Sequence, residues 1–305
     1  MSAVGLAFLL TGCGVGVGSG PGEGEVELTV TRDYGKVSLV GPDSLELRSS
    51  DTVMRVLERS ADVESSYGGR FVDAIDGIET SSGSRSSDWF YFVDGVAAEV
   101  GAAEFDLRSG DSVWWDYRDW TTAMDVEAVT GSYPAPLAGD RVEGSVPIGF
   151  SCSAPAETCD LASDRLVDDG GVVGAPGEEP AEGTPRVEVG PYGMLPGIPL
   201  DGSPSETGVF ARFSPAPGGG RELKALDQTG GAVRTFGAGA GLVAAVRDPG
   251  SPPVWVITGT DDAGVRAATS ALEPDLLEST YAVVVPPGGK SPLPIPAIGD
   301  GSAGA

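Results

Sequence analysis

Histidine is absent from all 305 residues, and that absence excludes whole classes of function. Without imidazole there is no Ser-His-Asp or Cys-His apparatus, no His-ligated zinc and no axial imidazole for a corrin cobalt. Lysine is nearly missing as well: Lys36, Lys224 and Lys290 stand against 16 Arg. The net charge is −26 and the isoelectric point about 4.1, which argues against nucleic acid or an anionic membrane surface as partner. Cysteine is scarce, with three in the chain. No carboxylate pair stands out by its spacing as glycosidase machinery. What the chain has instead is 40% apolar residues, enough for a packed core, and many turn formers, with Gly 47 and Pro 24. Its length fits one very large domain or two of ordinary size.

The N-terminus reads as an export signal. Val4 to Leu10 is an apolar run too short to span a bilayer but suited to a signal-peptide core. Leu10-Thr11-Gly12-Cys13 then matches a lipobox, with Cys13 as the lipidated residue. No Lys or Arg precedes Arg32, so the basic segment of such a signal is expected upstream of Met1. Gly14 to Gly24 reads as a Gly-rich tether. Its Gly-x-Gly repeats follow no strand, which rules out a nucleotide loop. With Cys13 carrying lipid, Cys152 and Cys159 remain as a pair, and outside the cytoplasm they are expected to form a disulfide.

The most informative stretch is Asp88 to Trp120, which holds four of the five Trp in two aromatic bursts. Trp89-Phe90-Tyr91-Phe92 and Trp114-Trp115-Asp116-Tyr117 read as strands. Turn signals bound them at Val93-Asp94-Gly95 and Ser109-Gly110-Asp111. Period two puts Val113, Trp115 and Tyr117 on one face, and Trp114, Asp116, Arg118 and Trp120 on the other. The first face is expected to be core. The second sets Trp114 and Trp120 beside charges, where they either stay exposed as a ligand face or pack against the linker or the second domain.

Before this stretch, Glu25 to Thr31 and Val37 to Val40 read as strands around the turn Asp33-Tyr34-Gly35-Lys36, with Ser44 to Leu47 extended. Ser49 or Ser50 is expected to cap a helix with Asp51 in its first turn and Val53, Val56, Leu57 and Ala61 as its apolar stripe. Arg70 to Ile75 reads as a strand, Ile78 as the start of a polar loop to Ser87, and Glu104 to Leu107 as a short strand. The carboxylates from Asp73 to Glu79 lack the third ligand of a calcium loop, so no metal site is assigned.

The upstream helix, Trp89-x-Tyr91-x-Val93-Asp94-Gly95, a small-residue run with Gly101, then Gly110-Asp111 and a strand holding Trp115 together resemble the bacterial DUF4430 domain. That domain is similar to the C-terminal β-domain of the cobalamin carriers transcobalamin and intrinsic factor. The resemblance covers roughly Glu25 to Trp120. It implies an α+β protein with a β-grasp-like, transcobalamin C-terminal-like N-terminal domain, followed by a smaller α/β domain. The expected divisions are 1–13 signal, 14–24 tether, 25–122 N-terminal domain, 123–185 connection, 186–286 α/β domain and 287–305 disordered tail.

Within the second half, Ala156 to Val167 is expected to be a helix carrying Leu161, Leu166 and Val167, and Asp168 to Pro185 a mobile acidic loop. Strands are expected at Arg186–Val189, Gly208–Phe213, Glu222–Leu226, Leu242–Val246 and Pro253–Ile257. A helix capped at Asp261-Asp262, with Val265, Ala268, Thr269 and Leu272 inward, leads to a strand at Tyr281–Val285, the pattern of a parallel crossover. Gly237 to Gly241 leads into a strand, so it is no dinucleotide loop. Arg186 to Pro286 looks like the C-terminal region found with DUF4430 in actinobacterial lipoproteins, which implies no chemistry.

The expected function is therefore non-catalytic: an acidic lipoprotein on the extracytoplasmic face of the cell membrane, held there by membrane lipid on Cys13. The resemblance implies capture of cobalamin or another corrinoid as a bound ligand rather than a catalytic cofactor, with Trp89, Tyr91, Trp114, Asp116 and Trp120 at the site. The carriers' helical barrel is missing, so a partner protein supplying it, or an uptake transporter, would complete the site. The alternative is a cell-envelope interaction or structural module with no small-molecule ligand, since exposed Trp and Tyr also anchor protein interfaces.

Overall fold

The structure is a computed structural model that describes residues 24–81, 86–138, 146–175, 180–195 and 197–296. Cys13 and its lipobox, residues 14–23 of the tether, and the last nine residues lie outside the described residues.

Two strands, β1 (Glu25–Arg32) and β2 (Val37–Glu46), are joined by the tight turn at Asp33–Lys36. Helix α1 (Val53–Glu58) follows, then β3 (Val63–Ser66), β4 (Phe71–Ile75), β5 (Ile78–Glu79), β6 (Ser87–Val93), β7 (Val96–Ala97) and β8 (Ser112–Asp119). They make a five-stranded sheet, β2-β1-β8-β6-β7, and a small three-stranded one, β3-β4-β5. In the larger sheet only β1 and β8 run parallel. The Asp94-Gly95 turn between β6 and β7 has positive φ at both residues (55° and 72°), the geometry that Asp-Gly favours in two-residue hairpins.

Alternation decides the faces. Val26, Leu28 and Val30 of β1 and Val113 and Trp115 of β8 pack against Val53, Val56 and Leu57 of α1 in one core. The helix is shorter than its stripe suggested: it ends at Glu58, and Thr52 rather than Ser49 or Ser50 caps it by accepting from the Arg55 N–H. Asp51 instead turns back to Arg59 and the Arg48 N–H. Glu104 to Leu107 forms only an isolated bridge between Thr52 and Asp106, and the expected loop after Asp76 begins with β5.

The second half builds a six-stranded sheet, β17-β16-β14-β15-β10-β9, from β9 (Gly149–Cys152), β10 (Arg186–Pro191), β14 (Gly241–Val246), β15 (Val254–Gly259), β16 (Ala282–Val285) and β17 (Ser291–Leu293). Beside it lies the three-stranded β11 (Ala211–Pro215), β12 (Arg221–Leu226) and β13 (Ala232–Phe236). Helix α2 (Ala156–Asp168) precedes β10, with Leu166 buried and Val167 exposed. Two short helices, α3 (Pro204–Thr207) and α5 (Pro274–Leu277), flank the crossover helix α4 (Asp262–Ser270). Asp261 caps α4 by accepting from the Gly264 N–H at 2.9 Å, and Val265, Ala268, Thr269 and Leu272 are all buried.

β15 and β16 both run antiparallel to β14 and so parallel to each other, with β14 inserted between them. The glycines of this region serve close packing: a Cβ at Gly241 would meet the Gly264 carbonyl oxygen at 2.3 Å, and one at Gly259 its carbonyl carbon at 2.5 Å. The expected tail holds β17, so order extends past Pro287. Gly171 and Val173 make bridges to Ala138 and Ile148 within the stretch expected to be a mobile loop. The chain is thus mostly β-sheet with few helices, compatible with α+β.

Candidate functional site

The second face of β8 is covered, not exposed. Trp114 is 1% exposed; its indole N–H donates to Thr31 Oγ1 at 2.8 Å, and its ring packs on Phe92 and Tyr281. Of the two expectations for Trp114, exposure is therefore corrected and packing against the second half of the chain holds. The strand alternation was right, but Tyr34, Phe92 and Trp114 join Phe210, Phe213, Leu242 and Tyr281 in a core between the two larger sheets. Gly131 makes room for the indole, since a Cβ there would lie 2.5 Å from a ring carbon.

Asp116 sits at the centre of this face with no exposed surface. The parallel register sets Thr31 opposite it, and the turn after β1, with Tyr34 at φ 62°, presents two backbone amides. Oδ1 accepts from Thr31 Oγ1 (2.7 Å) and the Gly35 N–H (3.1 Å); Oδ2 accepts from the Tyr34 N–H (3.1 Å) and the Tyr281 hydroxyl (2.9 Å). Burial pushes the carboxyl pKa up, against the pull of these donors and of Arg118. Burial and the neighbouring Asp116 raise Tyr281 well above the usual tyrosine range, and burial pushes Tyr34 up to about 12. Every lone pair of Asp116 is engaged, so this cluster fastens the sheets together.

Arg118, 1% exposed, lies next along the face. Its guanidinium stacks over Phe90 at 3.9 Å and donates to the carbonyls of Ala123 (2.6 Å) and Met124 (2.8 Å). Its Nε has no hydrogen-bond partner, and the same holds for Trp115 Nε1 on the other face.

The five residues expected at one site do not meet at one site. Trp89 and Tyr91 line a groove of about 390 Å³ beside β6. Trp89 is 7% exposed and donates its indole N–H to the Ile78 carbonyl; Tyr91 donates to the Val100 carbonyl at 2.5 Å and stacks near Trp115. Trp114 and Asp116 are enclosed, and Trp120, half-buried, lies just past the end of β8 with its N–H on the Ser86 carbonyl. The groove's other walls are Phe71 and Val72 of β4, the loop 97–102, and 124–127. Phe71 (41%), Val100 (46%) and Met124 (57%) are among the few large hydrophobic side chains left exposed. Arg247 crosses to this region, pairing Glu99 at 2.6 Å and Glu127 at 3.2 Å. Sequence reasoning missed Phe71, Val100, Met124 and Arg118. Only Arg118 had a signal, its place in the aromatic strand.

Among the described residues no group of three or more Cys, Asp or Glu could hold a metal ion. Asp73 accepts from the Ser66 hydroxyl and Asp76 from the Asp62 N–H, so both carboxylates serve the β3–β5 hairpins. A second cleft, of about 580 Å³, holds Glu27, Asp275 and Glu278; burial, Glu27 and Asp275 push Glu278 up. Cys152 and Cys159 form the expected disulfide, Cα atoms 5.8 Å apart. No helix among the described residues is long and apolar enough to cross a membrane.

Residues 50–119 match the model of a family described as a domain of unknown function, DUF4430. The match runs from just before α1 to the last residue of β8 and takes in β6, but leaves out β1, β2 and the 124–127 wall. Among solved structures, the chain is similar to a candidate metal binding protein from Ruminococcus gnavus ATCC 29149. The two are 19% identical over 32% of this chain and 98% of that one, with a TM-score of 0.26. A score that low bears on neither fold nor ligand. No curated protein matches the chain.

Proposed function

We propose that this chain is a non-catalytic binding protein, lipid-anchored through Cys13 on the extracytoplasmic face of the cell membrane, and that its ligand lies in the groove beside β6. The observation that carries this reading is convergence. Phe71, Val100 and Met124 leave apolar surface exposed around one groove, where a folded chain would otherwise hide it. A ligand with an apolar body suits such a lining. The sheet with α1 laid across it is consistent with the β-grasp-like, transcobalamin C-terminal-like arrangement.

The corrinoid implied by the resemblance has narrower support here, because Trp114 and Asp116 are enclosed and only Trp89 and Tyr91 of the expected set reach the groove. Titration of the chain with cobinamide, cobalamin and the apolar dye 8-anilinonaphthalene-1-sulfonate tests the reading. Saturable dye binding is expected, weakened at least about fivefold in Phe71→Ser/Met124→Ser. Equal binding by that variant would remove the groove as the site. Cobinamide binding lost in the same variant would make the ligand a corrinoid. Separately, Cys13→Ala should release the protein from membranes, and retention there would refute the lipid anchor.

A further inference from the structure

Trp89, Phe90, Tyr91 and Phe92 are consecutive, so their side chains alternate between the two sheet faces, yet all four line the same groove. A groove lying on one face would touch every second residue. One that touches all four runs along the backbone edge of β6.

The hydrogen bonding agrees. β6 and β8 pair in unbroken antiparallel register from Ser87↔Asp119 to Val93↔Val113. Just beyond its ends, the Asp94 N–H donates to the Ser112 carbonyl (2.8 Å) and the Trp120 N–H to the Ser86 carbonyl (3.0 Å). Even-numbered residues of β6 therefore aim their N–H and C=O at β8, and odd-numbered residues aim theirs outward. At the ends of the strand the outward groups are taken. Ser87 exchanges two bonds with Ser81 (3.1 and 2.9 Å), and Val93 pairs with Val96 of β7. Between them, Trp89 and Tyr91 have no paired strand among the described residues. The Trp89 N–H is met only by the carboxylate of its own neighbour Asp88, at 3.0 Å.

We propose that an extended peptide segment of a partner protein adds to this edge as a further strand, with apolar residues at alternate positions and Lys or Arg among the others. The proposal rests on the groove being the ligand site and names what fills it. An open strand edge offers main-chain bonds to any extended chain, and pockets beside it select alternate side chains. Phe71 on one wall and Val100 and Met124 on the others supply apolar contacts. Charge selects the rest. Arg70 and Arg247 already pair Glu104, Glu99 and Glu127, which leaves Asp125 as a groove carboxylate without an ion-pair partner among the described residues. A basic side chain would satisfy it, in a chain whose net charge is −26.

The experiment is selection of displayed random decapeptides on the full chain, followed by synthesis of the recovered peptide with a fluorescein label. Copies of it are N-methylated on one or the other alternate set of backbone amides. Binding should be saturable. One methylated copy should lose about tenfold or more and the other little, because only one set of amides faces the edge. Phe71→Ser/Met124→Ser should weaken the parent peptide. Equal tolerance of both methylated copies would overturn strand addition, as would binding indifferent to the groove variant. Failure to recover any peptide, with dye binding still lost in the groove variant, would overturn the peptide while leaving the groove a ligand site. Loss of neither would take down both. Self-association of the chain that competes with the peptide and disappears in the groove variant would make a second copy the occupant, against the proposal.

Discussion

The hydroxyl of Tyr281 donates to Oδ2 of Asp116 across 2.9 Å, joining residues 165 positions apart at the seam between the two larger sheets. Both groups are fully enclosed, so the bond has no water to compete with it. Tyr281→Phe should lower the unfolding free energy by about 1.5–3 kcal/mol, as expected for a lost bond to a charged group. Asp116→Asn should cost more, because the amide NH2 would face one hydroxyl and one backbone donor. Urea unfolding followed by tryptophan emission measures both, and a stable Asp116→Asn chain would contradict this geometry.

Acid sensitivity should come from Asp51. Its carboxylate meets Arg59 at 2.7 and 2.8 Å and accepts from the Arg48 N–H at 2.8 Å. Burial pushes its pKa up, but these partners outweigh it and leave the net shift downward. A carboxyl depressed in the fold stabilises above its unfolded value of about 3.9 and loses that contribution as pH falls through the folded value. Asp51→Asn should therefore be less stable than the parent at pH 6, with the gap narrowing below about pH 4. A gap independent of pH would show that the pair contributes nothing through ionisation.

Gly131→Ala should be destabilising by about 1–3 kcal/mol through overpacking, since the new methyl would lie 2.5 Å from the Trp114 ring and 2.9 Å from the Thr280 nitrogen. A thermal melt of this single variant measures the cost, and an unchanged midpoint would show that the seam is loose.

Cys152 and Cys159 are seven apart and close a small loop ahead of and into α2. Replacing both by Ser should cost about 2 kcal/mol, the range for so short a loop. Thiol titration of unreduced exported protein should find neither free.

Much of the fold was legible locally. The alternation of β1 and β8 set both faces, the Asp33–Lys36 and Asp94-Gly95 turns placed two hairpins, and the Val265-to-Leu272 stripe placed α4. Strands with poor patterns were not legible: β3 reads VESS, β13 is largely exposed, and β17 contains a Pro. The site was harder still. Alternation showed that Trp114 and Asp116 share a face, but what covers that face is Tyr281, which no local period connects to them. Met124 lies in an aperiodic segment, and only the folded chain brings it beside Phe71 and Val100.

Amide hydrogen exchange along β6 tests most directly whether the edge of that strand is open. Phe90 and Phe92 direct their N–H groups at β8, whereas Trp89 and Tyr91 direct theirs into the groove. In the free chain, exchange at Trp89 and Tyr91 should be faster than at Phe90 and Phe92 by at least about tenfold, and saturating peptide should slow only the first pair. Equal protection of all four in the free chain would mean that a strand already covers this edge, and would contradict the account.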